Sequence, residues 1–207
     1  MIRKVRTVRE YFIRPVTACK FLVLNAFCLL LQSGCASQGG PPGESAEFAV
    51  RGKVSVTQDG ERFSARFLWE QQKNGFVIEL WGPLGQGRVR LEGDVNRLAI
   101  VDARGKTLTE GPAQAVMREH LGWTLPLGAL IYWIRGEPTP ELPVMSQRRS
   151  AEDVLMGFEQ IGWTITCDDH RLVETTVQPR ELPGKITAQR LGYRVSLIIS
   201  QWRWHNV

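Results

Sequence analysis

Residues 63–93 read FSARFLWEQQKNGFVIELWGPLGQGRVRLEG, and their spacing decides the fold. Phe63, Ala65, Phe67 and Trp69 fall at every second position. A period of two is that of a β-strand, whose successive side chains point to opposite faces. Lys73-Asn74-Gly75 turns the chain, and FVIELW (76–81) forms the next strand. RVRLEG (88–93) returns, with Val89 and Leu91 on one side and Arg88, Arg90 and Glu92 on the other. Between these strands lies WGPLGQG (81–87), where Gly82, Pro83 and Gly85 suit a turn. Leu84 does not, because a turn tip faces water. A single exposed apolar residue needs no explanation of its own. A leucine held out by a proline and glycines also has the form of a residue that meets something apolar.

The same period continues outward. FAVRGKVSV (48–56) precedes the stretch across Asp59-Gly60, a strong hairpin signal. LAIVDA (98–103) and KTLTE (106–110) follow it across Ala103-Arg104-Gly105. The period then changes. PAQAVMREHLGW (112–123) opens with Pro at the first helical position and closes at Gly122, with Ala115, Val116, Met117 and Leu121 as its apolar stripe. PLGALIYWIRG (126–136) carries Leu127, Leu130, Ile131 and Ile134 at helical spacing and stops at Gly136. PTPELP is a loop. Strand signals resume at VLMGFEQ (154–160), GWTITC (162–167), KITAQR (185–190) and YRVSLIISQWRW (193–204).

This pattern gives about ten strands and two short helices. Sequential strands with short turns form an antiparallel meander, and a sheet of that size curls towards closure. The expected fold is mainly β with short helices (α+β): an incomplete antiparallel barrel with the helices laid over its mouth. Its inward residues would be Phe63, Phe67, Trp69, Phe76, Ile78 and Leu80. They either fill a core or line an apolar ligand cavity; pattern alone favours plain packing.

The 207-residue chain carries 26 basic and 21 acidic residues. Six of the bases but only Glu10 of the acids lie before Cys35, so the remainder is balanced at 20 each. A neutral body lacks the cationic surplus that nucleic-acid binding requires. After the basic region come the eleven apolar residues FLVLNAFCLLL (21–31), too short to span a bilayer, which takes roughly 20. Basic region, short apolar run and small residues Ser33 and Gly34 make a secretory signal over 1–34. The junction LQSGCAS resembles a bacterial lipobox, with Gln32 where such signals prefer leucine. That resemblance implies that Cys35 becomes the acylated N-terminus; Ala36, in place of aspartate, implies sorting to the outer membrane. Residues 35–47 would be the lipidated N-terminus and a flexible Gly/Pro/Ser tether, and 48–207 the globular body. Cys19 and Cys28 leave with the signal, so Cys167, in a strand, has no intramolecular partner.

No nucleophile elbow, phosphate-binding glycine loop or dinucleotide fingerprint is present. Asp168-Asp169-His170 reads as a solvated turn rather than a metal site. The expectation is therefore a non-enzymatic monomer with neither cofactor nor metal.

Together the lipobox, RGKVSV, FSARFLWEQ, IELWGPLGQGRVRLEG, HLGWTLPLGALIYWIRG and the Trp-ended final strand resemble the LolB family of outer-membrane lipoprotein receptors. The resemblance implies about eleven strands lidded by helices over an apolar cavity, with Phe67, Trp69, Ile78 and Leu80 against the acyl chains. It implies transfer of triacylated lipoproteins from a LolA-type periplasmic carrier to outer-membrane lipid, without ATP. Leu84 then becomes the tip that promotes insertion, Pro83, Gly82 and Gly85 hold it out, and Trp81 sits either at headgroup level or in a plain turn. An envelope lipid-binding lipoprotein that takes no cargo from a carrier and a periplasmic hydrolase acting on lipid are the competing readings.

Overall fold

The computed structural model describes residues 46–204 apart from 83, 122, 123, 176 and 177. The signal segment, Cys35, most of the tether and Pro83 lie outside the described residues.

The six strands of the first half are β1 (Ala46–Gln58), β2 (Glu61–Gln72), β3 (Gly75–Trp81), β4 (Val89–Gly93), β5 (Arg97–Asp102) and β6 (Thr107–Pro112). The second half holds β7 (Val144–Arg149), β8 (Leu155–Gln160), β9 (Trp163–Asp168), β10 (Arg171–Val173), β11 (Arg180–Leu182), β12 (Lys185–Arg190) and β13 (Tyr193–Trp204). Eleven form one antiparallel sheet in the order β6-β5-β4-β3-β2-β1-β13-β12-β9-β8-β7, while β10 and β11 form a separate ribbon. The incomplete barrel is confirmed: β6 and β7 are free edges. Strands β7, β10 and β11 add to the ten read from the pattern, and β1 begins at Ala46, ahead of the expected Phe48.

The chain between the two edges supplies the cover. Pro112 caps α1 (Ala113–Val116) rather than standing inside it, and the helix passes directly into a π-helical turn, Met117–Leu121. Then comes α2 (Leu127–Trp133), capped by Pro126. Gly136 stops the chain at φ 75°, a left-handed geometry natural to glycine. Leu127, Leu130, Trp133 and Ile134 face inward and join the core of the sheet's concave side.

The two halves meet at β1 and β13. Gly52 sits there because a methyl group at its Cα would lie 2.1 Å from the Ile198 carbonyl oxygen. Beside it the register jumps, with Arg51 opposite Gln201 and Gly52 opposite Ile199. Ser200 is the extra residue, and its hydroxyl donates to the Arg51 carbonyl at 3.0 Å. A bulge reverses the side-chain parity of the strand beyond it. Val195 and Ile199 face the core before it, and Trp202 and Trp204 pack on buried Phe48 after it, at ring distances of 5.7 and 5.3 Å.

Candidate functional site

The alternation of β2 and β3 puts their large apolar residues on the concave face. The register sets Phe67 opposite Leu80 and Trp69 opposite Ile78. All four, with Phe63 and Phe76, line one cavity of about 70 Å³. The Trp69 indole N–H donates to Gln71 Oε1 at 3.2 Å, so its polar atom is satisfied and its ring serves as apolar wall.

Sequence reasoning missed the rest of the lining. Val54, Val195 and Leu197 close the far wall, a position fixed only by the β1–β13 pairing. Met117, Leu121, Leu125, Leu127 and Leu130 form the roof. Leu125 apart, their helical stripes were legible and their place over the barrel's mouth was expected, but not which of their side chains enter the lining. Every lining side chain is hydrocarbon, aromatic or thioether, so the cavity offers no hydrogen bond and selects only for apolar matter.

The roof is pinned at one end. Gln160, on β8, is 0% exposed and fully engaged. Its Oε1 accepts from Trp133 Nε1 at 3.0 Å and from the Thr139 N–H at 2.9 Å. Its Nε2 donates to the carbonyls of Thr139 and Leu142 at 2.9 and 3.0 Å. These bonds fasten the exit of α2 to the sheet. At the other end the roof runs through the π-helical turn, a strained geometry common where helices serve function.

On the loop between β3 and β4, Leu84 is 85% exposed. The loop is tied beneath it: the Gly85 N–H donates to the Gly82 carbonyl, and the Gly82 N–H to the Gln86 carbonyl, both at 2.9 Å. Gly85, at φ 76°, makes the turn. Gly82 is buried at the base and Gly85 exposed at the tip. Trp81 is half-buried, with the Arg88 guanidinium 5.4 Å from its ring and Arg88 paired to Glu79 at 3.1 Å.

The polar cluster has a structural role. Asp168 ends β9 and pairs with Lys185 at 3.5 Å. Asp169 takes φ 56° in the turn. Among the described residues no group of three or more His, Cys, Asp or Glu could hold a metal. Cys167 is buried, and desolvation, helped by the Asp168 charge, pushes its thiol up to about 12. Among the described residues no helix is long and apolar enough to cross a membrane.

Residues 46–202 match the sequence family described as outer membrane lipoprotein LolB. The outer-membrane lipoprotein LolB of Cellvibrio japonicus is 30% identical over 197 residues, covering 89% of this chain and 96% of that one. That of Chromohalobacter salexigens is 32% identical over 200 residues, covering 87% and 89%. Among solved structures, a LolA superfamily protein from Nitrosomonas europaea aligns with a TM-score of 0.49 at 9% identity, covering 79% of this chain and 88% of that one. An apolar cavity under a helical roof and a family match over residues 46–202 lead to one assignment: the chain belongs to the LolB family of outer-membrane lipoproteins.

Proposed function

We propose that the protein is an outer-membrane receptor for lipoproteins, anchored through acylated Cys35 on the periplasmic face. It takes triacylated lipoproteins from a LolA-type carrier and places them in the outer membrane. The observation that carries this reading is the wholly apolar cavity beside a leucine tip.

The cavity's size supports one feature of the mechanism. At roughly 10–15 Å³ of such free space per water-sized group, 70 Å³ holds about five to seven methylene-sized groups. That is far less than one long acyl chain. Cargo then enters as the roof lifts, with Met117, Leu121 and Leu125 moving and the Trp133 end held by Gln160. Acyl chains then lie against Phe67, Trp69, Ile78 and Leu80. No nucleotide is used, so direction comes from the difference in acyl affinity between carrier and receptor.

Leu84 works at the exit. Burial of one leucine contributes ~1.5–3 kcal/mol. That is too little to anchor the protein but enough to bias the mouth towards lipid, where Leu84 disturbs the packing of the leaflet. Trp81, clamped by Arg88, supports the loop from its base.

The test is transfer. A LolA-type carrier loaded with a triacylated lipoprotein is mixed with the acylated protein in liposomes, and the cargo is followed by pull-down and flotation. Cargo should move to the protein and then to lipid. Leu84→Glu should still accept cargo and fail to deliver it. If no cargo leaves the carrier, the receptor reading is wrong, and a lipid-binding lipoprotein without a carrier takes its place.

A further inference from the structure

The sheet register sets the Leu84 loop in a row with four other turns. Trp81 lies opposite Arg66 on β2, so the loop projects from the end where β2 begins. The Asp59-Gly60, Ala103–Gly105, Ile161-Gly162 and Leu191-Gly192 turns project from that same end. A methyl on Gly192 would lie 3.4 Å from Asp59 Oδ1, and one on Gly162 would lie 3.7 Å from Arg190 Nε, so neighbouring tips touch.

Three of these are two-residue hairpin turns with a left-handed first residue. Asp59, at φ 50°, follows the rule that Asn, Asp or Gly occupies such a position. Leu191, at φ 30°, and Ile161, at φ 48°, break it. Leu191 is also 90% exposed, and Ile161 37%. A bulky side chain there is strained, and at Leu191 it is almost fully wetted, so neither folding nor solubility gains from that residue. Met145 and Leu172 are exposed too, but in unstrained strand positions elsewhere. Positions that break local rules without a folding benefit are where function is expected.

Cations stand among these tips: Arg62, Arg88, Arg104, Lys106, Arg190 and Arg194 lie in or beside the five turns, together with the acids Asp59, Glu61, Glu79, Asp102 and Glu159. Apolar tips set among cations match a surface of lipid phosphates over hydrocarbon.

The geometry points to the Leu191-Gly192 tip, flanked by Ile161, as a second contact with the phospholipid surface. It lies four strand spacings along the rim from Leu84, roughly 19 Å at ~4.8 Å per strand. One contact leaves the body free to swivel, whereas two fix the tilt of the mouth against the bilayer. This inference rests on the membrane role of Leu84.

The test replaces Leu191 with the residue its backbone prefers. Acylated Leu191→Asn protein is set in vesicles of phosphatidylethanolamine and phosphatidylglycerol, beside Leu84→Glu, and supplied with carrier-borne lipoprotein. Leu191→Asn should melt at the same or a higher temperature, accept cargo normally and deliver it about tenfold more slowly, as the loss of one lipid-buried leucine implies. Normal delivery with Leu84→Glu impaired overturns the second contact and spares the first. Normal delivery by both variants overturns both. Impaired acceptance by Leu191→Asn assigns the tip to the carrier instead, and a lowered melting temperature makes Leu191 a packing residue; either result overturns the proposal.

Discussion

Replacing Gln160 with leucine should unfasten the roof. The substitution removes four hydrogen bonds and leaves two buried donors, Trp133 Nε1–H and the Thr139 N–H, without partners. Each orphaned donor costs about 1–3 kcal/mol, and the carbonyls cost less, because the Thr139 carbonyl keeps the Leu142 N–H at 3.3 Å and an under-satisfied acceptor is better tolerated. Leucine at this site recovers part of the loss through apolar burial, which leaves about 3–5 kcal/mol of destabilisation. Guanidinium unfolding followed by tryptophan fluorescence reads this as a lower midpoint at unchanged slope. Trp133→Phe supplies the internal check. It orphans nothing on Gln160, whose Oε1 keeps the Thr139 N–H, so it should cost only about 1–2 kcal/mol. With both changes present, one orphaned donor disappears, and the double variant should be about 1–3 kcal/mol more stable than the sum of the singles. A loss below about 1 kcal/mol for Gln160→Leu would refute the reasoning, since the donors would then have other partners.

Ile78→Trp should plug the cavity, abolishing acyl acceptance while shifting stability by less than about 1.5 kcal/mol, because Ile78 is only half-buried; a pull-down and a melt report the two effects. Gly52→Ala, forced against the Ile198 carbonyl, should destabilise by about 3 kcal/mol in the same unfolding assay. Cys167 should resist thiol reagents at pH 8 until the protein unfolds. Its folded pKa lies above its unfolded value near 9.0, so the associated stability is full below that pH and is lost as pH rises towards 12, at ~1.4 kcal/mol per unit. Melts recorded between those limits should show the decline.

Strands with one face on the core announced themselves by alternation, and β2 is the plainest case, with buried Ala65, Phe67 and Trp69 at every second residue. Strand β7 was invisible because all but Val144 of its residues are exposed; an edge strand with no buried face has no period. Strands β10 and β11 have three residues each, too few to show one. The inward turn of Trp202 and Trp204 depends on the bulge at Ser200, and simple alternation would set them outside. The cavity was half legible for the same reason: alternation supplied the β2–β3 wall, whereas the roof and the far wall come from long-range pairing. Leu84 stood out because it broke a local rule. Leu191 and Ile161 break one as well, but only backbone angles reveal it.

The free edges β6 and β7 give the barrel an adjustable girth. In a closed barrel every strand is bonded on both sides, and widening it means breaking rungs of the ladder. Here the ring is interrupted, and the gap is spanned by the segment that also roofs the cavity. The circumference can grow by letting that segment out, as a strap lengthens at its buckle, with no rung broken between any two strands. Under the proposed transfer role, swelling around a bulky guest and shrinking after its release would then draw on side-chain contacts, a scale that thermal motion and differences in acyl affinity can drive.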